Sequence, residues 1–366
     1  MALTYDVAVV GCGIAGVSAA LASRARGARV CLVRAAPGAT ALASGAWRGP
    51  LRPELRHALT AAGFPLESTR GPLTHERGHT VHADFASASH TGATADADTV
   101  IGIAGLPHFN AQTLARIWNE DAPMRAHTIE LAATPAAGWS APSLAAHIER
   151  DPAILIERLR AAEVRGKVIF PAVLGLERVA DVLGALEKAG IHGAEALAAT
   201  PSIPGWRLQE ALDRVLAQAA VTIAPGRATL KTARGKRVEQ IAVGGETIEA
   251  RSFVLATGKY LGGGIIAEES FRESVLDLPV WLEQLGDVFT SPDALPLTDP
   301  VRTAEQPLMY AGVHADDEQR PVDRVHDVVY DNVFVAGTVR AGWGTADRGL
   351  GDSAEDGWRA GERATS

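Results

Sequence analysis

Near the start of the chain, Gly11-Cys12-Gly13-Ile14-Ala15-Gly16 sets glycines at the spacing G-x-G-x-x-G. Each glycine has a physical task. Gly11 permits a tight turn, Gly13 lets the backbone approach a pyrophosphate without a Cβ in the way, and Gly16 lets the next helix lie close on the strand. The N-terminus of that helix, at Ile14 and Ala15, then aims free N–H groups at the phosphates. A lone G-x-G-x-x-G is a weak signal. Here an apolar strand, Tyr5–Val10, runs straight into it, and a small-residue helix with Val17, Ala19, Ala20 and Leu21 follows to about Gly27. A second strand, Ala28–Val33, completes a βαβ unit that points to a bound dinucleotide or flavin.

After such a second strand an acidic residue is expected, to accept hydrogen bonds from the adenosine ribose. This chain has Arg34 there. An arginine suits a 2′-phosphate, and equally suits solvent or a nucleotide whose adenosine half is absent or held differently. Further along, Ala43-Ser44-Gly45 offers backbone donors and close approach, as Ser44 and Gly45 would beside an isoalloxazine ring; the alternative is a plain surface loop. Phe253–Leu255 is a strand ending in Ala256-Thr257-Gly258, a turn at which glycine lets the chain pass close beneath a cofactor. Asp331–Ala336 is another buried strand ending in Gly337, where an Asp that holds a ribityl chain is usual next; Thr338 stands in its place. The cations that would fix a phosphate or carboxylate substrate are Lys259, Arg272, Arg340 and Arg348, with His314 and, more weakly, His108; a solvated or ion-paired role competes for each. His314 precedes Asp316, Asp317 and Glu318, an acidic turn that would hold it protonated.

These residues need elements to position them. A chain of 366 residues that is 47% hydrophobic buries a large core, most simply in two domains. The expected class is α/β: a discontinuous Rossmann-like FAD/NAD(P)-binding domain over 1–71 and 221–366, with an inserted α/β substrate or partner domain over 72–220. Within the insert, strands at Thr99–Ile103 and Lys167–Ala172 alternate with a helix through Trp118 and one over Arg178–Ala189, whose Val179, Val182, Leu183 and Leu186 share a face. Residues 35–71 read as loop, and Ile203–Leu208 opens a helix to Ala219. Short antiparallel strands are expected at Val221–Ile223, Val238–Val243 and Thr247-Ile248, and a final helix from about Ser353. His75, His79, His82 and His90 lack the spacing of a metal site, and the alternation at Thr80–Phe85 suits a hairpin or meander, so no metal is expected. The net charge of −8 with scattered basic residues gives nucleic acid no evident footprint. Two cysteines, Cys12 and Cys31, are too few for an iron–sulfur cluster. No apolar run approaches the length of a membrane span and no basic, apolar leader opens the chain, so a cytoplasmic protein is expected.

Four blocks carry a resemblance to a known family: Ala43-Ser44-Gly45, Val100–Leu106, Phe253–Glu269 with Phe271-Arg272-Glu273, and Asp331–Val339. Over nearly all of residues 5–352 the chain resembles the B subunit of the anaerobic glycerol-3-phosphate dehydrogenase complex, a family of flavoproteins. The resemblance implies a flavin-dependent oxidoreductase that passes electrons from a small hydroxylated or phosphorylated substrate toward quinone. A second flavoprotein and an iron–sulfur subunit would be its partners, the latter holding it peripherally at the inner membrane. It also implies FMN, whereas the complete glycine turn favours FAD, since that turn has little purpose without a pyrophosphate. The family's last loop is a Gly/Cys-rich turn; here Arg348–Asp352 replaces it without cysteine. That departure leaves the substrate open, and an electron-transfer or assembly module, or a dehydrogenase of another substrate, stands beside the first reading.

Overall fold

The computed structural model describes residues 3–119, 124–131, 139–282, 286–291, 293, 297–299, 301, 306–344 and 348–366. Residues 345–347 of the glycine-rich loop after Gly342 therefore lie outside the described residues. The chain divides into two compact units, residues 1–40, 49–58 and 212–366, and residues 41–48 and 59–211.

The first unit is built on a seven-stranded sheet. Its order is Thr222–Pro225, Val30–Arg34, Leu3–Val10, Glu246–Leu255, Arg237–Val243 and Ala228–Arg234, with Val333–Val335 also paired to Glu246–Leu255. The N-terminal strand is central because Val7, Ala8, Val9 and Val10 are apolar on both faces and fully buried, as a parallel core strand requires. It runs parallel to both neighbours, with Val7 opposite Val30 and Val10 opposite Leu255. Two expectations are corrected here. The strand Thr222–Pro225 is parallel, not antiparallel, with Thr222 opposite Cys31 and Pro225 opposite Arg34; the helix Ile203–Gln218 ahead of it makes the crossover that a parallel neighbour needs. Thr247-Ile248 and Phe253–Leu255 belong to one strand, Glu246–Leu255. Arg251 and Ser252 interrupt its apolar run, yet the ladder continues through Ser252, which pairs with Val7.

Two helices lie together in this unit at backbone distance. The helix Ile14–Ala25 presents Ala15 and Ala19, and the final helix Leu350–Ala364 presents Gly357 and Gly361. A Cβ on Gly357 would stand 2.0 Å from the Ala15 carbonyl oxygen, and one on Gly361 2.2 Å from that of Ala19. Ser23 Oγ donates to the Gly361 carbonyl at 3.1 Å and closes the seam.

The second unit has a four-stranded parallel sheet in the order Ile191–Glu195, Gly166–Phe170, Thr99–Ile103 and Arg125–Ile129. Helices Ala111–Trp118 and Val179–Lys188 fall where the periodicity predicts them. Helices Ala141–Arg150 and Pro152–Ala161 were not legible. Ser140 caps the first by accepting from Ser143 N at 3.2 Å, and Asp151 caps the second by accepting from Ala153 N at 3.1 Å. The expected loop over 35–71 contains the helix Pro53–Ala61. The His-rich stretch forms a small hairpin, Leu73–Thr74 with Thr80–Val81, and a strand Phe85–Ser87; His75 and His79 stack with ring centroids 4.4 Å apart.

Candidate cofactor site

The glycine turn has the geometry its sequence demands. Gly11 has φ +115°, and a Cβ there would meet the Ala256 carbonyl oxygen at 2.2 Å. A Cβ on Gly16 would stand 1.9 Å from the Gly11 carbonyl oxygen, so the helix descends directly on the turn. Gly13 is extended and begins the helix without a side-chain cap of its own. The N–H of Ile14 is instead accepted by Thr40 Oγ1 at 3.0 Å, and a Cβ on Gly13 would lie 3.3 Å from that same hydroxyl. Sequence reasoning passed over Thr40; its only signal was a hydroxyl residue shortly after the second strand.

The other glycine turns of the first unit converge on this point. A Cβ on Gly337, whose φ is +73°, would press on Ala15 Cβ at 2.7 Å, and one on Gly258 would lie 3.7 Å from Thr338 Oγ1. Gly11, Gly13, Ile14, Ala15, Gly16, Ala256, Thr257, Gly258, Gly337 and Thr338 thus form one cluster at the carboxyl ends of three parallel strands. This is where open α/β sheets bind ligands. Thr257 Oγ1 is buried there without a hydrogen-bond partner. A carboxylate from the final helix, Asp356, meets the Gly337 turn. Its Oδ2 accepts from Gly337 N at 2.7 Å, and its Oδ1 accepts from Arg340 and from Gln319 Nε2. Burial raises the Asp356 pKa, against the pull of Arg340.

Arg34 ends its strand beside the turn, and its guanidinium pairs with Asp213 at 2.7 Å. Both charges reach the Cys12 thiol: burial pushes its pKa up, Arg34 draws it down and Asp213 raises it. Ser44 and Gly45 belong to the second unit, where the Ser44 carbonyl accepts from Ala198 N at 2.9 Å and a Cβ on Gly45 would meet His90 Nε2 at 2.5 Å.

The candidate cations have definite partners. Arg272 pairs with Asp277 at 2.8 Å on an exposed hairpin, Arg340 with Asp356, and Arg348 lies 4.2 Å over the Trp343 ring. His314 stacks on Trp281 at 4.7 Å and meets His326 edge-on. His108 sits at φ +71° after the Gly105 turn. Lys259 is buried, with Nζ donating to the carbonyls of Met309 and Trp343, and burial pushes its pKa down to about 7.

A side-chain-free cradle, a helix N-terminus and an unpartnered hydroxyl suit a dinucleotide that brings its own phosphates and polar edge. The class follows: an FAD-binding flavoprotein with a Rossmann-like α/β fold, a flavin-dependent oxidoreductase. Residues 6–69 match the family model described as an FAD binding domain. More particularly, the chain is homologous to proteins named as the B subunit of anaerobic glycerol-3-phosphate dehydrogenase. It is 27% identical to the probable B subunit of Halobacterium salinarum, over 100% of this chain and 98% of that protein. It is 28% identical to the B subunit of Yersinia enterocolitica over 53% of this chain and 45% of that protein. Among solved structures it is similar to the 3-ketosteroid-Δ4-(5α)-dehydrogenase of Rhodococcus jostii RHA1, with 14% identity, 99% and 97% coverage and a TM-score of 0.41.

Proposed function

We propose that this chain is the FAD-bearing subunit of a dehydrogenase complex that takes electrons from a small hydroxylated or phosphorylated substrate, glycerol 3-phosphate foremost, and passes them to a partner. What carries the reading is the convergence of the Gly11–Gly16, Ala256–Gly258 and Gly337–Thr338 turns on one helix N-terminus, in a chain similar over its whole length to a named dehydrogenase subunit. FAD, when bound, supplies hydride or electron acceptance at its ring. The chain's own contribution would be to hold the pyrophosphate at the helix N-terminus beside Gly13, where the Ile14 N–H already donates to Thr40, to keep side chains away at Gly258 and Gly337, and to offer the hydroxyls of Thr40 and Thr338.

Partners enter the proposal for a chemical reason. Cys12 and Cys31 are both buried, and two cysteines fall short of the ligand set an iron–sulfur cluster needs, so onward transfer through such a cluster would take another chain. A second flavoprotein or an iron–sulfur subunit fits. No described helix is long and apolar enough to cross a membrane, so attachment at the inner membrane would be peripheral, through a partner, from the cytoplasmic side. A second reading, an electron-transfer or assembly module without its own substrate site, draws on the cations: Arg272 and Arg340 are already matched by carboxylates.

Purification of the chain should give flavin absorption bands, with FAD identified by mass spectrometry after release. Pull-down from the native host should recover a flavoprotein or iron–sulfur partner. Dye reduction with glycerol 3-phosphate should be rapid for the complex and poor for the isolated chain. Rapid turnover by the isolated chain, with no partner recovered, would replace this reading with a self-sufficient dehydrogenase.

A further inference from the structure

The strand Val30–Arg34 ends against the glycine turn. Gly11 N donates to the Val33 carbonyl at 3.0 Å, and the Cys12 thiol donates to the Ala36 carbonyl at 3.3 Å. On the other side Gly226 N donates to the Arg34 carbonyl at 2.9 Å. Residue 34 therefore stands where an acidic side chain ordinarily meets an adenosine ribose, and here it is an arginine. A carboxylate is nevertheless brought to that place. The helix Ile203–Gln218, which leads into the parallel strand Thr222–Pro225, buries Leu212, Val215 and Leu216 and sets Asp213 at the border of that face. Asp213 Oδ2 lies 2.7 Å from Arg34 Nη1. The Cys12 thiol, inside the turn, feels both charges. The pair is open to a ligand, since the Arg34 and Asp213 side chains keep 30% and 25% of their surface exposed. A carboxylate offers about four acceptor positions, so it can take a sugar hydroxyl while paired with a guanidinium.

We propose that Asp213 determines the nucleotide specificity of the cofactor site: it accepts the hydroxyls of the adenosine ribose in place of a strand-end carboxylate, and Arg34 holds it there. This rests on the FAD reading above. The pair then selects a class of nucleotide. A ribose with both hydroxyls free donates to Asp213. A 2′-phosphorylated ribose brings a negative charge to the same carboxylate and is repelled. Arg34 is thus the counterion of the protein's own carboxylate rather than a receptor for a 2′-phosphate.

The test titrates the apoprotein and its Asp213→Ala and Arg34→Met variants with FAD, with ADP, with the 2′,3′-dideoxyadenosine analogue of each, and with ADP carrying a 2′-phosphate. A partly exposed ion pair adds little to folding and alanine suits a helix, so both variants keep the fold, as the melting temperature of each apoprotein checks. Wild type should bind FAD and ADP about tenfold more tightly than their dideoxy analogues, the worth of a hydrogen bond to a charged group. Asp213→Ala should lose that preference while binding the dideoxy analogues as wild type does. Damage to the fold would instead weaken every ligand alike. The same variant should bind the 2′-phosphorylated ADP about tenfold more tightly than wild type does, because it leaves Arg34 to the phosphate. Arg34→Met should keep a preference for the ribose hydroxyls and gain nothing for the 2′-phosphate. A hydroxyl preference that survives in Asp213→Ala, or that only Arg34→Met removes, would overturn the proposal. If FAD fails to bind wild type while ADP shows the expected pattern, the flavin reading falls and the ribose assignment stands. If FAD binds and the hydroxyls make no difference, the flavin reading stands and the assignment falls; binding of neither overturns both.

Discussion

Lys259 is the residue whose setting differs most from what its type suggests. In the sequence it is one of several cations suited to an anionic substrate. In the structure its ammonium group is buried against two carbonyl oxygens, those of Met309 and Trp343, and burial pushes its pKa down to about 7. It ties the turn after Ala256-Thr257-Gly258 to two later segments rather than reaching for a ligand. The consequence for stability has a definite sign. The native state sheds a proton that the unfolded chain keeps until near the ordinary lysine pKa of 10.5. The penalty is therefore full below pH 7 and relaxes as pH rises from 7 toward 10.5. Against Lys259→Met, wild type should gain stability over that window, by on the order of a few kcal/mol. Urea unfolding at a series of pH values reads the difference; a constant gap between the two proteins would mean that the amine keeps its proton in the fold. At this scale the glycines were legible because their spacing states a backbone requirement. Thr40 and Asp356 were not, since a hydroxyl or carboxylate meets a glycine turn only through neighbours distant in sequence.

Elements were legible where burial is complete. Val7–Val10 is a continuous apolar run and Thr99–Ile103 nearly so, both are buried on both faces, and such runs read as parallel strands. Edge and polar elements were missed for the converse reason. Arg125–Ile129 exposes most of its length, and Ile191–Glu195 reads Ile-His-Gly-Ala-Glu with no periodicity. The same logic separates two glycines that look alike in sequence. Gly361 faces the Ala19 carbonyl across a helix seam, so Gly361→Ala forces the final helix away from Ile14–Ala25 and should cost about 1–3 kcal/mol in thermal or urea unfolding. Gly184 lies within the helix Val179–Lys188, and a Cβ there would have nothing within 4 Å. Gly184→Ala should stabilise by roughly 0.5–1 kcal/mol, the helix propensity difference alone. Equal effects at the two sites would mean that the seam is not a close backbone contact.

For the molecule as a whole, the α/β class followed from alternating strands and helices, while the path of the chain between its two units depends on contacts that no local pattern announces. The cofactor acts at this scale as well, because a ligand that binds only the native state adds its binding energy to folding. At a hundredfold excess over its dissociation constant, FAD should add about 2.7 kcal/mol. For a cooperative unit of this size that raises the melting temperature by roughly 5–10 °C. Gly13→Val should fold, since the nearest atom to a Cβ there is the Thr40 hydroxyl at 3.3 Å, the end of a side chain that can give way. It should lose the FAD-dependent rise, because the added atoms stand where the pyrophosphate must approach. FMN has one phosphate and no adenosine, so on wild type it should produce a smaller rise than FAD at equal excess over free protein. Scanning calorimetry of both proteins with and without each flavin decides the matter. A full FAD-dependent rise in Gly13→Val, or equal rises from FMN and FAD in wild type, would show that the glycine turn does not hold the pyrophosphate.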